Sequence, residues 1–310
     1  MENNLISRTA LESDLRKLGI KEGDMIFIRI SYKSIGKVEG GPKTVIDAIL
    51  NVIGENGTLL ATAFPERIPT YKKFFQKNCV YSKGMKPITG AIPSVMCCYP
   101  SAFFSENPVS PYVAIGHEAE LLTQMHTVDS ESYEIVRIMI EKYQPKCLRV
   151  GGDVLDGTAH LAFSEGLKHH NAYQRRLPEG IYYIKDGKRK WKERTVSAFC
   201  YDGFRNFFMQ HIENSSAVLA TGKVGNGQAM VTSMKETYEI EKKHITPNPS
   251  ILLCSSPKCL KCRLSFSYSD TSAINYFIKS IPKLFSKEWK QELLAYKTIL
   301  IAGLLGKKCV

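Results

Sequence analysis

The chain has 310 residues, of which 44% are hydrophobic and 23% charged, and a formal net charge of +12. Those values exclude a disordered, collagen-like or small disulfide-stapled chain and leave room for one large domain or two modest ones. The basic surplus asks for an anionic partner, and because residues 251–310 carry ten Lys or Arg against three acids, it is mostly a property of the tail.

The opening stretch MENNLISRTALESDLRKLG has no uninterrupted apolar core, and no later run reaches the ~18 apolar residues that span a bilayer, so a cytoplasmic chain is expected. Nine cysteines in that compartment read as reduced thiols or metal ligands. Thr9 followed by Glu12 has capping-box spacing, and the helix it opens stops at Gly19. A strand at Met25–Ile30 comes next, then the turn-like stretch from Lys33 to Pro42. Val45, Ile46, Ile49, Leu50 and Ile53 follow at helical spacing and GTLLATAF reads as a second buried strand, which together make a βαβ unit. HEAELLTQM and SYEIVRIMIEKY read as helices, and CLRVGG as a strand ending in a glycine pair. In IYYIKDGKRKW two β-rich arms flank Asp186-Gly187, a hairpin signal. The alternation predicts an α/β fold, a mixed central β-sheet flanked by helices with a small antiparallel β portion. A composition shift at HITPNPS divides a body, residues 1–245, from a basic, cysteine-containing C-terminal extension, residues 246–310, packed on it.

Three segments carry candidate chemistry. SYKSIGKVEGGP joins a strand end to a helix start, where free backbone N–H groups and the helix dipole favour an anion. Its spacing matches neither glycine-rich nucleotide motif, and a plain βα turn is the simpler reading. His160, in GGDVLDGTAHLAF just after a strand end, is a candidate general base, with Asp153 and Asp156 the nearest carboxylates to orient it; alone, such a histidine is more often a packed residue. His169 and His170 read as a polar helix end. Cys254, Cys259 and Cys262 have a C-x4-C-x2-C spacing compatible with zinc or an iron–sulfur cluster, with Cys200, Cys147, His244 or His211 as fourth ligand; the alternative is a loop of thiols. The tail WKQELLAYKTILIAGLLGKKCV reads as a terminal core helix with one solvated face, or as a segment making peripheral contact with anionic membrane. A homo-oligomer stays open.

Four blocks in order make the chain resemble the aminoglycoside 3-N-acetyltransferase-like acyltransferases over residues 8–240. They are Ser31 with SIGKVEGGP, VIDAIL and GTLLATAF; GAIPSVMCCYPSAFFSENPVSPYVAIGHEAELL; TAHLAF; and GKVGNGQA. The resemblance implies an acyl-CoA-dependent N-acyltransferase, with acetyl-CoA or another acyl-CoA as co-substrate and an amino sugar or nucleotide-linked amino sugar as acceptor. It implies that Ser31, Tyr32, Lys33, Ser34, Gly36 and Val38 cradle the cofactor's pyrophosphate and pantetheine arm, that Ser105 and Val109 touch it, and that His160 is the base. Four positions depart from the family pattern: Ser94 replaces an acid, Asn107 a histidine, Pro111 a serine and Phe163 a glutamate. The family's acids face a polycationic antibiotic, so their loss points toward a neutral or anionic acceptor. No nucleic-acid partner is expected. The competing reading is a catalytically inactive acyltransferase-fold protein that binds an anionic partner through its basic tail.

Overall fold

Residues 5–152, 155–170, 173–174, 179–194, 200–254 and 266–267 are described by a computed structural model. Helix α1 (Arg8–Lys17) is capped by Ser7, whose hydroxyl accepts from the Ala10 N–H at 3.2 Å; the cap lies two residues before the expected Thr9. The chain then runs through β1 (Met25–Ile30), the one-turn α2 (Tyr32–Ile35), α3 (Pro42–Ile53), β2 (Thr58–Thr62), β3 (Ile68–Pro69), α4 (Ala91–Met96), β4 (Phe103–Phe104) and β5 (Tyr112–Gly116). It continues with α5 (Ala119–Gln124), α6 (Glu134–Lys142), β6 (Lys146–Val150), α7 (Thr158–His169), β7 (Tyr173–Gln174), β8 (Glu179–Lys185) and β9 (Lys188–Glu193). Last come α8 (Tyr201–His211), β10 (Val218–Val224), β11 (Gly227–Ser233), α9 (Met234–Ile245) and β12 (Phe266–Ser267).

A seven-stranded mixed sheet runs in the order β10-β11-β6-β1-β2-β5-β4. Its centre, β6-β1-β2, is parallel, and β11 and β5 join it antiparallel. Strands covered on both faces need apolar side chains at every position, which is why MIFI and TLLAT lack the polar alternation of a half-solvated strand. Along β1, Ile26 and Ile28 pack toward α1 and α3 with Leu11, Ile46 and Ile49, while Met25 and Phe27 pack toward α5 to α9 with Tyr112, Phe163 and Phe204. Each such fully buried side chain stabilises the fold by about 1.5–3 kcal/mol. The predicted hairpin is β8 and β9, which turn through Asp186 (φ 55°) and Gly187 (φ 69°), the two left-handed residues that a tight hairpin turn requires. With β3 it forms a separate three-stranded antiparallel sheet.

Just past residue 246 the chain is still part of this body. Leu252 is fully buried in the core on the α7–α9 side. A Cβ on Gly203 would lie 2.1 Å from its carbonyl oxygen, and one on Gly166 2.7 Å from Pro249. Most of the basic tail lies outside the described residues. No helix among the described residues is long and apolar enough to cross a membrane.

Candidate active site

The parallel strands β1 and β6 end side by side, and the turns that leave them build the site. After β1 the Ser31 N–H donates to the Val150 carbonyl at 2.9 Å, Ser34 N–H donates to Ser31 O at 3.0 Å, and Ser34 Oγ donates to Ser31 Oγ at 3.1 Å. This tight turn rests on the glycine that ends β6. Gly151 has φ +87°, and a Cβ there would sit 2.2 Å from Ser34 Oγ and 2.8 Å from Ser31 Cβ. From the other side the β10–β11 turn closes on the same loop: Asn226 N–H donates to Ile35 O at 2.9 Å, and a Cβ on Gly225 would meet that oxygen at 2.8 Å. The GKVGNGQA segment is therefore the backing of the Ser31 loop, a role that no spacing rule signals.

Ser31, Tyr32 and Lys33 line a cavity of about 450 Å³ together with Arg29, Thr62 and the start of α4. Two cations and several hydroxyls face it with no carboxylate among the lining residues, which suits an anion. The other predicted loop residues serve the loop and do not line the cavity. Ser34 lies beneath Ser31, Gly36 (φ +101°) makes the turn against Asn226, and Val38 is buried and bridged to Ile6.

His160 lies in the first turn of α7. The helix is preceded by Gly157 (φ +100°), where a Cβ would press on the Tyr133 ring at 2.9 Å. Tyr133 stacks on the imidazole, with centroids 4.2 Å apart and planes inclined by 17°, and its hydroxyl accepts from Arg194 Nη2 at 3.1 Å. Asp156 does not take the orienting role expected for it. One of its oxygens accepts from the Thr158 N–H at 3.1 Å and from the Thr158 hydroxyl, and the other pairs with Arg149 of β6. Asp156 thus ties the start of α7 to the sheet, which positions His160 through the helix. Asp153 lies outside the described residues.

Glu241 of α9 was not singled out in the sequence, where it sits in a charged helix. It is fully buried, with Asp156, Thr158 and Arg149 as its electrostatic neighbours. Burial first, and the Asp156 charge second, push its carboxyl well above the ordinary carboxylate range. The Thr158 hydroxyl and Arg149 only partly offset this, both being engaged by Asp156. A folded-state pKa raised above the unfolded value means that folding is favoured at low pH and opposed once the unfolded chain's glutamate ionises, above about 4.5. Glu241→Gln is therefore expected to raise the melting temperature by a few degrees at pH 8 and to change nothing at pH 4. Thermal melts at the two pH values check it; an equal shift at both would assign the effect to packing.

Ser105 and Val109 are not at the cavity surface, contrary to the expectation that they touch a cofactor. Both are fully buried. Ser105 Oγ accepts from the Tyr112 N–H at 2.9 Å and pairs with His126 Nδ1 at 3.0 Å. His126 Nε2 lies 3.0 Å from the Glu131 carbonyl, an acceptor only, so Nε2 carries the proton and Nδ1 accepts from Ser105. Burial lowers the His126 pKa to about 4, which keeps that tautomer neutral. Val109 donates to Asn107 Oδ1 at 3.1 Å, and its carbonyl accepts from Arg67 at 3.3 Å. This corner supports Tyr112 from below and closes on itself through Asn107. Of the other family departures, Phe163 is fully buried and Ser94 Oγ donates back to Gly90 O at 2.8 Å.

Cys254 is buried and clusters with Cys200; Cys259 and Cys262 lie outside the described residues. Of the other candidate ligands, Cys147 sits in the sheet core and His211 stacks on His244 with centroids 4.3 Å apart. Among the described residues no group of three or more His, Cys, Asp or Glu could hold a metal ion. Cys79 is disulfide-bonded, so the cysteines are not all reduced as expected.

Residues 27–246 match the model of a family described as aminoglycoside 3-N-acetyltransferase. The chain is 25% identical over 273 residues to the SPbeta prophage-derived aminoglycoside N(3')-acetyltransferase-like protein YokD of Bacillus subtilis, covering 81% of this chain and 97% of that one. The crystal structure of YokD superposes with a TM-score of 0.69 at 22% identity, over 80% of this chain and 96% of that one. Aminoglycoside N(3)-acetyltransferase III of Salmonella sp is 27% identical over 269 residues, 77% of this chain and 88% of its own. A structure titled AAC-IIIb binary with CoASH superposes with a TM-score of 0.60 at 22% identity, over 77% of this chain and 96% of that one.

Proposed function

The chain belongs to the aminoglycoside 3-N-acetyltransferase family, and on that premise we propose that it transfers an acyl group from acetyl-CoA or another acyl-CoA to the amine of an amino sugar or related small molecule, with His160 as general base. The observation that carries the reading is the double use of β6. Gly151, the residue just after it, seats the Ser31–Ser34 turn, and Arg149 within it pairs with Asp156, which holds the start of the helix that bears His160. An anion-suited cavity and a stacked imidazole thus follow the carboxyl ends of the central strands β1 and β6, where α/β folds carry their ligands.

The cavity residues fit a coenzyme A thioester. Arg29 and Lys33 supply positive charge for its phosphates, and Ser31, Thr62 and Thr89 supply hydroxyls. Bound there, the thioester brings an activated carbonyl and a thiolate leaving group. The acceptor amine attacks that carbonyl; the C–N bond forms, the C–S bond breaks, and His160 takes the amine proton and returns it to the departing thiolate. Tyr133 holds the imidazole plane throughout. No covalent bond to the protein is needed, since the leaving group comes with the donor.

The test is thiol release from acetyl-CoA by the purified protein with a panel of amino sugars, alongside thermal melts with saturating acetyl-CoA. Amine-dependent thiol release and a raised melting temperature are expected. No shift and no release with any amine would overturn the reading.

A further inference from the structure

Beyond the Tyr133 ring that stacks on His160 lie two guanidinium groups for which the described residues supply one carboxylate. Arg194 donates Nη2 to the Tyr133 hydroxyl at 3.1 Å, while its Nε is buried and has no hydrogen-bond partner among the described residues. Arg67 lies close enough to Arg194 for the two charges to repel, and its own guanidinium is pushed down to about 10 by burial first and by Arg194 second. Among the described residues the carboxylate against Arg67 is Glu179, 3.5 Å from Arg67 Nε; the other Arg67 contacts are the neutral Val109 carbonyl and the face of the Phe64 ring, 5.6 Å from the guanidinium. Among the described residues two neighbouring guanidiniums thus have one carboxylate, held by Arg67, and the buried Arg194 Nε–H has no acceptor. A buried donor without a partner is destabilising, and adjacent like charges add to that cost unless an anion joins them. Neither arginine lines the Ser31–Lys33 cavity, where Arg29 and Lys33 already provide for the donor's phosphates.

We propose that Arg194, seconded by Arg67, reads an anionic group on the acceptor, so that the substrate is an amine bearing a carboxylate or phosphate and not a polycation. The proposal rests on the acyl-transfer reading and names its acceptor class. The Nε–H of Arg194 can donate to either oxyanion. An acceptor gripped there reaches past Tyr133 toward His160, which sets its amine against the base.

Matched acceptors test it: glucosamine, glucosamine 6-phosphate and a 2-amino-2-deoxyuronic acid, each assayed by thiol release from acetyl-CoA. At least one anionic member is expected to exceed glucosamine by about tenfold or more in kcat/KM, and whichever leads separates phosphate from carboxylate. Arg194→Ala is expected to remove most of that ratio through the acceptor KM, with the KM for acetyl-CoA little changed and Arg194→Lys intermediate. Equal rates for neutral and anionic acceptors, or a ratio that survives Arg194→Ala, would overturn the proposal while leaving acyl transfer standing. Titration calorimetry with the same three compounds gives a second reading free of turnover. Arg194-dependent preference for the anion supports the subsite even if no thiol is released, and binding without that preference ends it.

Discussion

Replacing His160 with glutamine is expected to lower kcat by roughly 10²- to 10⁴-fold and to leave the KM for acetyl-CoA within about twofold. The split follows from where the side chain sits. The imidazole lies in the first turn of α7, stacked on Tyr133, while the cations of the Ser31–Lys33 cavity are on other elements. On the proposed roles, removing the imidazole therefore raises the barrier to attack without loosening the donor. Glutamine keeps most of the volume against Tyr133, so the melting temperature should stay close to that of the parent. Thiol-release kinetics and a thermal melt on the same preparation check both halves. A His160→Gln protein with the parent's kcat would remove His160 from the chemistry; one with unchanged kcat and a large rise in acceptor KM would make it a binding group.

Much of the framework was legible because it rests on local rules. Val45, Ile46, Ile49 and Ile53 recur at helical spacing and are buried on α3, and Asp186-Gly187 forms the hairpin turn that its residue types demand. The resemblance led to His160, which its immediate surroundings alone did not favour. What stayed hidden depends on contacts between distant segments. A serine hydroxyl looks the same whether it meets a cofactor or, like Ser105, closes a buried chain of hydrogen bonds with His126 and Tyr112. Asp156 stands four residues before a candidate base in sequence, yet its oxygens belong to Thr158 and Arg149, and the latter is seven positions back on β6. Glu241 lies in a charged stretch that no motif marks, and it is fully buried with Asp156 as its electrostatic neighbour. Arg67 and Arg194 are 127 residues apart in the sequence, and only Tyr133 and the fold make them neighbours.

Gly151 gives the second large effect, because a single methyl group there collides with the Ser31–Ser34 turn proposed to hold the donor. Gly151→Ala is expected to weaken acetyl-CoA binding by about tenfold or more and to lower the melting temperature, since a left-handed non-glycine residue costs on the order of 1–3 kcal/mol. The neighbouring glycine separates the two causes. Gly152 has φ +96° but open space around its missing Cβ, whereas a Cβ on Gly151 (φ +87°) falls 2.2 Å from Ser34 Oγ and 2.6 Å from Ser34 Cβ. Gly152→Ala therefore carries the backbone strain alone and should lose stability while still binding acetyl-CoA. Gly151→Ala carries strain and collision together and should lose both. If the collision is with Ser34, Ser34→Gly in the Gly151→Ala background should restore part of the acetyl-CoA affinity, a positive coupling that a double-mutant cycle reads directly. Calorimetry with coenzyme A on the parent, the two alanine variants, Ser34→Gly and the double variant checks it, and equal losses of affinity in both alanine variants would shift the cause from the Ser31–Ser34 turn to the end of β6 itself.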